Sequence, residues 1–371
     1  MAIRTIDITN VLTFQRQWRI NNDDTKAAFS GSSTTISDGF HLKFCDGINV
    51  VIGENGVGKT SLLKMIYAAT QWSFRQTDPG KTRKLLSFFS EHLKDSSLLK
   101  NYEHKDGYCG YALSDGEHTF EYSLSHNGLL NFENWLGLDI SAVFIPTTEM
   151  LSHAKGFLAL NQKYNLPFDG TQIDIIVNAS LPETKEITTT MSRTLEKISK
   201  VIEGTVVQSE DIFYVQKKDG RIVDFSLEAE GFRKFGLLWK LIRNGLLEPG
   251  SILLWDEPEA NLNPELYPVL VETLLELTRN GVQIFLATHS YNFAKYLEIR
   301  RDVSAQVLFH NLYWGNSEIS KPYIEILPET NTERRVIYGR TSADLEGLPG
   351  NHIMAADEKL LDEVYNTGVK G

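Results

Sequence analysis

Two short segments carry residues whose types and spacing suit phosphate chemistry, and the first is residues 53–60. Its sequence, GENGVGKT, fits the phosphate-loop pattern G-x-x-x-x-G-K-[ST]. Glycines let several backbone N–H groups point at one anion, and the helix that follows adds its unpaired N–H groups and positive dipole end. We expect Lys59 to reach the β- and γ-phosphates, to be solvated while the loop is empty, and Thr60 to place its hydroxyl on Mg²⁺. The predicted binding residues are Gly53, Glu54, Asn55, Gly56, Val57, Gly58, Lys59, Thr60 and Ser61.

The second segment is SILLWDEPEANLNPEL, residues 251–266. An apolar run ends in Asp256 and Glu257, which predicts two carboxylates at the end of a buried strand. Asp256 would hold Mg²⁺ through water, and Glu257 would orient and deprotonate an attacking water. The alternative is a charged strand-to-loop turn without catalytic function.

A histidine follows a third apolar run. Residues 282–287 predict another buried strand, and His289 comes directly after it. A lone histidine is more often structural. The carboxyl end of a strand beside the nucleotide strands, however, is where parallel sheets bind their ligands.

The elements around these residues predict an α/β fold. Residues 50–52 have the β-branched composition of a buried parallel strand, and Leu62, Leu63 and Ile66 recur at helical spacing after the loop. Asn263-Pro264 predicts a helix start, and Asn280-Gly281 predicts its end.

The phosphate loop, LLWDEPEANL and FLATHS together resemble the ABC-type ATPases, a group that includes SMC, RecF-like and OLD-like proteins. They are also similar to the stand-alone AAA-family ATPases of bacterial anti-phage defence systems. The resemblance covers residues 1–69 and about 226–310. It implies an α/β ABC-type P-loop NTPase sheet with an N-terminal antiparallel hairpin region, which flanks the adenine, and an inserted helical lobe. It also implies that Asn261 lies in the loop crossing a dimer interface and that His289 contacts the γ-phosphate.

Members of that group complete the site with a signature motif from a partner subunit, usually LSGGQ, which is absent here. The best candidate is residues 227–234, LEAEGFRK, which we call the signature segment. Glu230, Gly231 and Arg233 are the predicted contacts to the partner's ATP, and Lys234 is a second basic candidate. Ala229 lacks the hydroxyl of the usual serine. An ordinary core helix with an apolar stripe that ends at Gly245 is the alternative.

A glutamine loop is also missing at its expected place. The strand around residues 141–145 is followed by Thr147, Thr148 and Glu149. Glu149 is therefore predicted to substitute as a ligand of Mg²⁺ or water. It could instead be an acidic residue at a helix N-terminus.

The predicted organisation has four parts: residues 1–150 with the phosphate loop, a mainly helical lobe at 151–225, residues 226–330 with the remaining nucleotide motifs, and a tail at 331–371. Within the lobe we predict a helix over residues 182–204 and a hairpin of strands 212–215 and 221–225. In the tail, residues 355–366 predict an amphipathic helix that either packs on the sheet or docks a partner.

Composition limits the alternatives. The 371 residues are 23% charged and 42% hydrophobic, and no apolar run could span a bilayer, which predicts a soluble cytoplasmic protein without a membrane partner. Only two cysteines are present, in keeping with a reducing compartment. The net charge of −11 disfavours nucleic acid, although the basic cluster of Lys81, Arg83 and Lys84 leaves it possible.

These features predict an ATPase that uses ATP and Mg²⁺ and forms a homodimer or a higher homo-oligomer. By resemblance, its nucleotide-dependent dimer acts as a switch or sensor that controls a separate protein effector in a bacterial anti-phage defence system. Two alternatives remain open: a RecF- or SMC-like DNA-repair ATPase that binds DNA, and a transporter ATP-binding subunit, which would carry an intact LSGGQ and a shorter insertion.

Overall fold

The computed structural model describes residues 2–14, 40–75, 109–123, 128–131, 135, 138, 140–314 and 337–368. The basic cluster of Lys81, Arg83 and Lys84 lies outside these residues. Both cysteines are buried as free thiols. Among the described helices, none is long and apolar enough to cross a membrane.

A six-stranded sheet lies at the centre. Its strands, in spatial order, are Ile337–Ser342 (β14), Val307–Trp314 (β13), Ile48–Gly53 (β3), Gln283–Thr288 (β12), Ile252–Asp256 (β11) and Ala142–Ile145 (β7). All neighbours are parallel except β13 and β14. The three predicted nucleotide strands are confirmed as adjacent β3, β12 and β11. Because they are parallel, their carboxyl ends meet at one edge.

Helices lie around this sheet. They are Lys59–Arg75 (α1), Phe157–Tyr164 (α2), Gly170–Ala179 (α3), Thr189–Val201 (α4), Glu230–Arg243 (α5), Tyr267–Arg279 (α6), Tyr291–Arg300 (α7) and His352–Gly368 (α8). Successive residues of β3 alternate between two cores, since Val50 and Ile52 belong to one and Val51 to the other. Burial on both faces explains why β3 is apolar apart from Asn49.

A second, antiparallel sheet packs on α1 through one of these cores. Its strands, in spatial order, are Phe40–Lys43 (β2), Thr5–Thr9 (β1), Gly110–Ser114 (β4), Thr119–Ser123 (β5) and Gly128–Asn131 (β6). The predicted pairing of β1 with β2 is confirmed, with Ile6 opposite Leu42.

Residues 151–225 contain α2, α3, α4 and a three-stranded antiparallel sheet. The strands are Gly204–Ser209 (β8), Ile212–Lys217 (β9) and Ile222–Asp224 (β10). The hairpin of β9 and β10 agrees with the prediction. Buried lobe residues such as Ile175, Ile198 and Val206 share one core with the central sheet, so the lobe has no separate core of its own.

The predicted helix over residues 182–204 is wrong at both ends. It begins at Thr189, because the Thr188 side chain accepts from the Met191 N–H and caps it. It ends at Val201, and Gly204 starts β8. At Gly204, a Cβ would lie 2.2 Å from the Gln216 carbonyl oxygen, so this strand position requires glycine.

The C-terminal region divides in two. Strand β14 extends the central sheet, whereas most of α8 projects from it. The four large apolar side chains of its second half, Leu360, Leu361, Val364 and Tyr365, are between 58% and 73% exposed. The predicted helix is confirmed. Its exposed apolar face does not pack on the sheet, which was one of its two predicted roles.

Candidate nucleotide site

The phosphate loop connects β3 to α1, and its glycines have specific steric causes. Gly53 has φ 145°, and a Cβ there would lie 2.1 Å from the Leu312 carbonyl oxygen. Gly58 has φ 99°, and a Cβ would lie 2.7 Å from Thr13 Oγ1. Gly56, with φ 81°, faces open space. Gly53 therefore lets the loop lie against β13, and Gly58 lets it lie against the N-terminal segment at Thr13.

The remaining loop residues take different environments. Val57 is fully buried and its carbonyl accepts from Thr13 Oγ1 at 3.2 Å, which fixes the loop to the N-terminal segment. Asn55 is exposed and Ser61 is half-buried in the first turn of α1. The Glu54 carboxylate lies beside His352 Nε2, at the start of α8. This contact brings the start of α8 to the loop, and no local sequence pattern predicts it.

Lys59 is buried, with only 6% of its surface exposed, so the expectation of a solvated lysine is wrong. Its Nζ donates to the carbonyl oxygens of Gly53 and Glu54, at 2.8 Å each. It also lies 3.2 Å from His289 Nδ1. Burial lowers the Lys59 pKa to about 8, against the opposing pull of nearby carboxylates. The loop carbonyls and His289 thus hold the ammonium group in place.

This lowered pKa predicts pH-dependent ATP binding. The ammonium loses its proton as pH rises through about 8, so ATP affinity should fall between pH 8 and 9.5, approaching tenfold per pH unit. Isothermal titration calorimetry at several pH values measures it. Lys59→Met is the control, with weaker and pH-independent binding over this window. A wild-type affinity that stays constant up to pH 9.5 would contradict the prediction.

The same burial also makes the free energy of unfolding depend on pH. This free energy increases with pH, whereas ATP affinity decreases. The folded-state pKa of Lys59 lies below its ordinary value of 10.5, so the unfolded chain binds more protons between about pH 8 and 10.5. The Lys59 contribution to the free energy of unfolding therefore increases with pH across that window.

Thr60 and Asp256 form the pair that was predicted to hold Mg²⁺. Thr60 Oγ1 donates to Asp256, 2.9 Å from Oδ2 and 3.2 Å from Oδ1. Thr147 Oγ1 donates to the same Oδ2 at 3.1 Å. Burial raises the Asp256 pKa, and the two hydroxyl hydrogen bonds oppose this. Within the described residues, no group of three His, Cys, Asp or Glu side chains is arranged around a metal position. One carboxylate and one hydroxyl suit Mg²⁺, which also takes water and substrate phosphates.

Glu257 and His289 lie together at the carboxyl edge of the sheet. His289 Nε2 is 2.9 Å from Glu257 Oε1. Lys59 has only protons to give, so His289 Nδ1 accepts from Lys59 and its Nε2–H donates to Glu257. A continuous chain of polar contacts therefore joins the lysine, the histidine and the glutamate.

The backbone at Glu257 is strained, with φ 51° in the left-handed region. This conformation costs a non-glycine residue about 1–3 kcal/mol and persists only where surrounding contacts determine it. The Glu257 N–H donates to the Ala287 carbonyl at 2.9 Å, and its own carbonyl accepts from Ala260 N–H at 3.1 Å. Strain at this position is consistent with a functional turn.

Glu259 contacts Thr288 and the backbone of His289, and this supporting role was not predicted from the sequence. Its Oε1 accepts from Thr288 Oγ1 at 2.5 Å and from the His289 N–H at 3.2 Å. It is buried, and this raises its pKa. Its place two residues after Glu257 was the available signal, because successive acids after a strand end can share one edge.

Glu149 does not take the predicted position beside the metal pair. Its Oε1 accepts from the N–H groups of Leu151 and Ser152 and caps a short 3₁₀ turn. Its Oε2 lies 3.3 Å from an Arg233 Nη. Both oxygens are thus engaged within the chain, and the alternative, an acid at a helix N-terminus, describes it better. Thr147 is the residue from this segment that contacts Asp256.

The signature segment leads into α5. Both of its basic side chains form contacts within the chain. Arg233 pairs with Glu149, and Lys234 is buried against backbone carbonyls, so neither side chain is free in this structure. Asn261 is exposed and donates to Glu230 Oε1 at 2.8 Å, which places the two predicted interface residues side by side. Ala229 is the exposed N-cap of α5 and forms no side-chain cap.

Comparison with known proteins identifies the family. Residues 72–294, more than half of the chain, match a family model described as "AAA domain, putative AbiEii toxin, Type IV TA system". The matched segment includes Glu257 and His289. The chain belongs to this AAA-domain family. Its fold is mixed α/β, and residues 53–60 carry the phosphate-loop motif.

Other similarities are more distant. The L-cystine import ATP-binding protein TcyN of Bacillus subtilis (strain 168) is 27% identical over 164 residues, which is 37% of this chain and 58% of that protein. The SMC head domain from Thermotoga maritima overlays with a TM-score of 0.42 at 16% identity, covering 84% of this chain and 95% of that one. A nucleotide-free ATP-binding cassette from an ABC transporter gives 0.36 at 12%, covering 84% and 87%.

Proposed function

We propose that the chain hydrolyses ATP to ADP and phosphate, and that it does so as a head-to-tail dimer. The observation that carries the hydrolysis proposal is the contact chain from Lys59 through His289 to Glu257. It connects the predicted phosphate ligand to the predicted general base at one edge of the sheet. A glutamate with a strained backbone and a direct contact to a histidine is not expected in a turn without catalytic function.

Each residue has a defined role in this proposal. Lys59 turns its ammonium from the loop carbonyls to the β- and γ-phosphates. Thr60 and Asp256 would hold Mg²⁺, which would neutralise charge on the phosphate oxygens. Glu257 accepts a proton from the attacking water, and His289 orients the Glu257 carboxylate through its Nε2–H.

The dimer proposal depends on the start of α5. A single chain leaves one side of the γ-phosphate in solvent, where charge is poorly stabilised. Ala229 leaves the first N–H groups of α5 without a side-chain acceptor, and Asn261 stands exposed beside Glu230. We propose that these groups meet the ATP of a second copy, whose own α5 meets the ATP of the first.

The biological output that we propose is a nucleotide-dependent switch that controls a separate protein effector in a bacterial defence system. The family description, with its toxin–antitoxin context, supports this. The exposed apolar stripe of α8 offers a surface for that effector. Asp357, Glu358, Asp362 and Glu363 flank the stripe, so an apolar groove bordered by basic residues would fit it.

Activity measured against protein concentration tests the dimer. If two copies complete each site, phosphate release per chain should rise with protein concentration until the dimer is saturated, and light scattering with ATP should show the doubled mass. Lys59→Met provides the background rate. Constant activity per chain, from a monomer, would contradict the dimer and leave hydrolysis intact. Salt-sensitive stimulation by duplex DNA would instead favour the DNA-repair alternative.

A further inference from the structure

Lys234 is a buried lysine that the proposed chemistry does not use. It lies in the second turn of α5 and is 4% exposed. Its Nζ donates to the Glu257 carbonyl oxygen at 3.1 Å and to the Pro258 carbonyl oxygen at 3.4 Å. Burial lowers its pKa, and the carboxylates of Glu259, Glu230, Glu257 and Asp256 oppose this effect. A charged donor is thus directed at the backbone of the strained turn.

The start of α5 and this turn form one packed unit. Residues 230, 231 and 234 lie on one face of the helix, because their spacing spans one turn. Glu230 accepts from Asn261, and Gly231 packs so closely that a Cβ would lie 2.9 Å from Leu262 Cδ1. With Lys234 on the Glu257 carbonyl, three successive contacts join the helix to residues 257–262. A displacement of the helix must therefore move the turn.

We infer that Lys234 is a positioning residue: it transmits ATP binding at the partner's site, sensed by the start of α5, to the Glu257 carboxylate of its own site. The inference rests on the proposed dimeric ATPase. Each signature segment faces the partner's γ-phosphate, and each Lys234 fixes the general base of its own chain. The two sites should consequently bind and hydrolyse ATP with positive cooperativity.

The backbone geometry explains why a lysine serves here. The Glu257 carbonyl also accepts from Ala260 N–H, so Lys234 supplies the second donor that completes the turn. Among the described side chains, Lys234 is the one that donates to the Glu257 carbonyl oxygen. Without it, the left-handed backbone at Glu257 loses a contact that holds the carboxylate toward His289. A shift of about 1 Å at a reacting group can cost up to a hundredfold in rate.

Comparing Lys234→Met with Lys240→Met tests the inference. Lys240 lies on the same helix, is also 4% exposed, and faces Glu183 at 3.5 Å, away from the turn. Both changes remove one buried ammonium from α5. We expect kcat to fall roughly tenfold or more for Lys234→Met and to stay within about twofold of wild type for Lys240→Met. ATP affinity, measured by calorimetry, should be similar in both.

Cooperativity is the readout that a merely structural role would not move. The Hill coefficient for ATP should approach about 2 in the wild type and in Lys240→Met, and about 1 in Lys234→Met. If Lys234→Met does not fold, Lys234→Gln carries the test, since it keeps a donor, loses the charge and should lie between the two. Equal kcat and equal Hill coefficients for the Lys234 and Lys240 variants would overturn the inference. A wild type that neither dimerises nor hydrolyses ATP would instead refute the proposed function.

Discussion

Glu257→Gln is expected to leave ATP bound and to lower its turnover roughly a hundredfold or more, because an amide cannot accept the proton of the attacking water. The substitution preserves the geometry of the site. Glutamine keeps an oxygen where His289 Nε2 now lies 2.9 Å from the carboxylate, so the histidine retains its contact. Single-turnover phosphate release measures the chemical step, and calorimetry measures ATP affinity.

A neighbouring acid provides the control for Glu257→Gln. Glu265 is exposed on the short 3₁₀ turn that precedes α6, and its carboxylate contacts only Asn263 among the hydrogen bonds of that turn. Glu265→Gln removes the same charge outside the contact chain and should hydrolyse ATP at close to the wild-type rate. Equal rates for wild type and Glu257→Gln would show that another group takes the proton.

The parts of the site that depend on short sequence motifs were predictable. The phosphate loop, Asp256-Glu257 and His289 each follow a buried strand, and the order of parallel strands brings the three carboxyl ends to one edge. The pattern of apolar runs fixes this much, because strand identity and direction determine where the ends meet. It does not determine the separation between side chains.

The errors have physical causes that lie outside local patterns. Thr147 and Glu149 both follow β7, and a shift of two residues along an irregular segment decides which one reaches Asp256. Lys59 and Lys234 can be buried because backbone carbonyls of the loop and of the turn at Glu257 accept hydrogen bonds from their ammonium groups. Such acceptors come from tertiary packing, and the sequence around a lysine does not reveal them. The start of α4 was misplaced because Thr188 competes with Pro182 as the initiating residue, and the cap prevailed.

The trans contact at the signature segment needs a variant that leaves the chain's own packing undisturbed. Gly231→Asp is unsuitable, because even a Cβ there would lie 2.9 Å from Leu262 Cδ1. Ala229 is better placed. It is the exposed N-cap of α5, with φ −58° and ψ 139°, and no side chain caps the helix. Asp and Asn are both favourable N-caps, so either substitution should stabilise α5, by about 1 kcal/mol.

Ala229→Asp is therefore expected to raise the stability of the chain while it weakens ATP-dependent dimerisation and turnover. A carboxylate about 4 Å from a phosphate charge costs roughly 4 kcal/mol at an effective dielectric constant near 20, and even a quarter of that weakens pairing about fivefold. Ala229→Asn has the same shape and capping ability without the charge, so it isolates the electrostatic effect. Light scattering with ATP, in the Glu257→Gln background, should show dimers for the unchanged segment and monomers for Ala229→Asp at the same concentration. Ala229→Asn should give an intermediate dimer fraction, because its capping amide occupies N–H groups that we propose for the partner's phosphate. Thermal unfolding should show that both N-cap variants are at least as stable as the parent.

Equal dimerisation of the Asp and Asn variants would place the partner's phosphate away from the start of α5. It would remove the signature segment from the interface while leaving the contacts of Lys59, His289 and Glu257 unaffected.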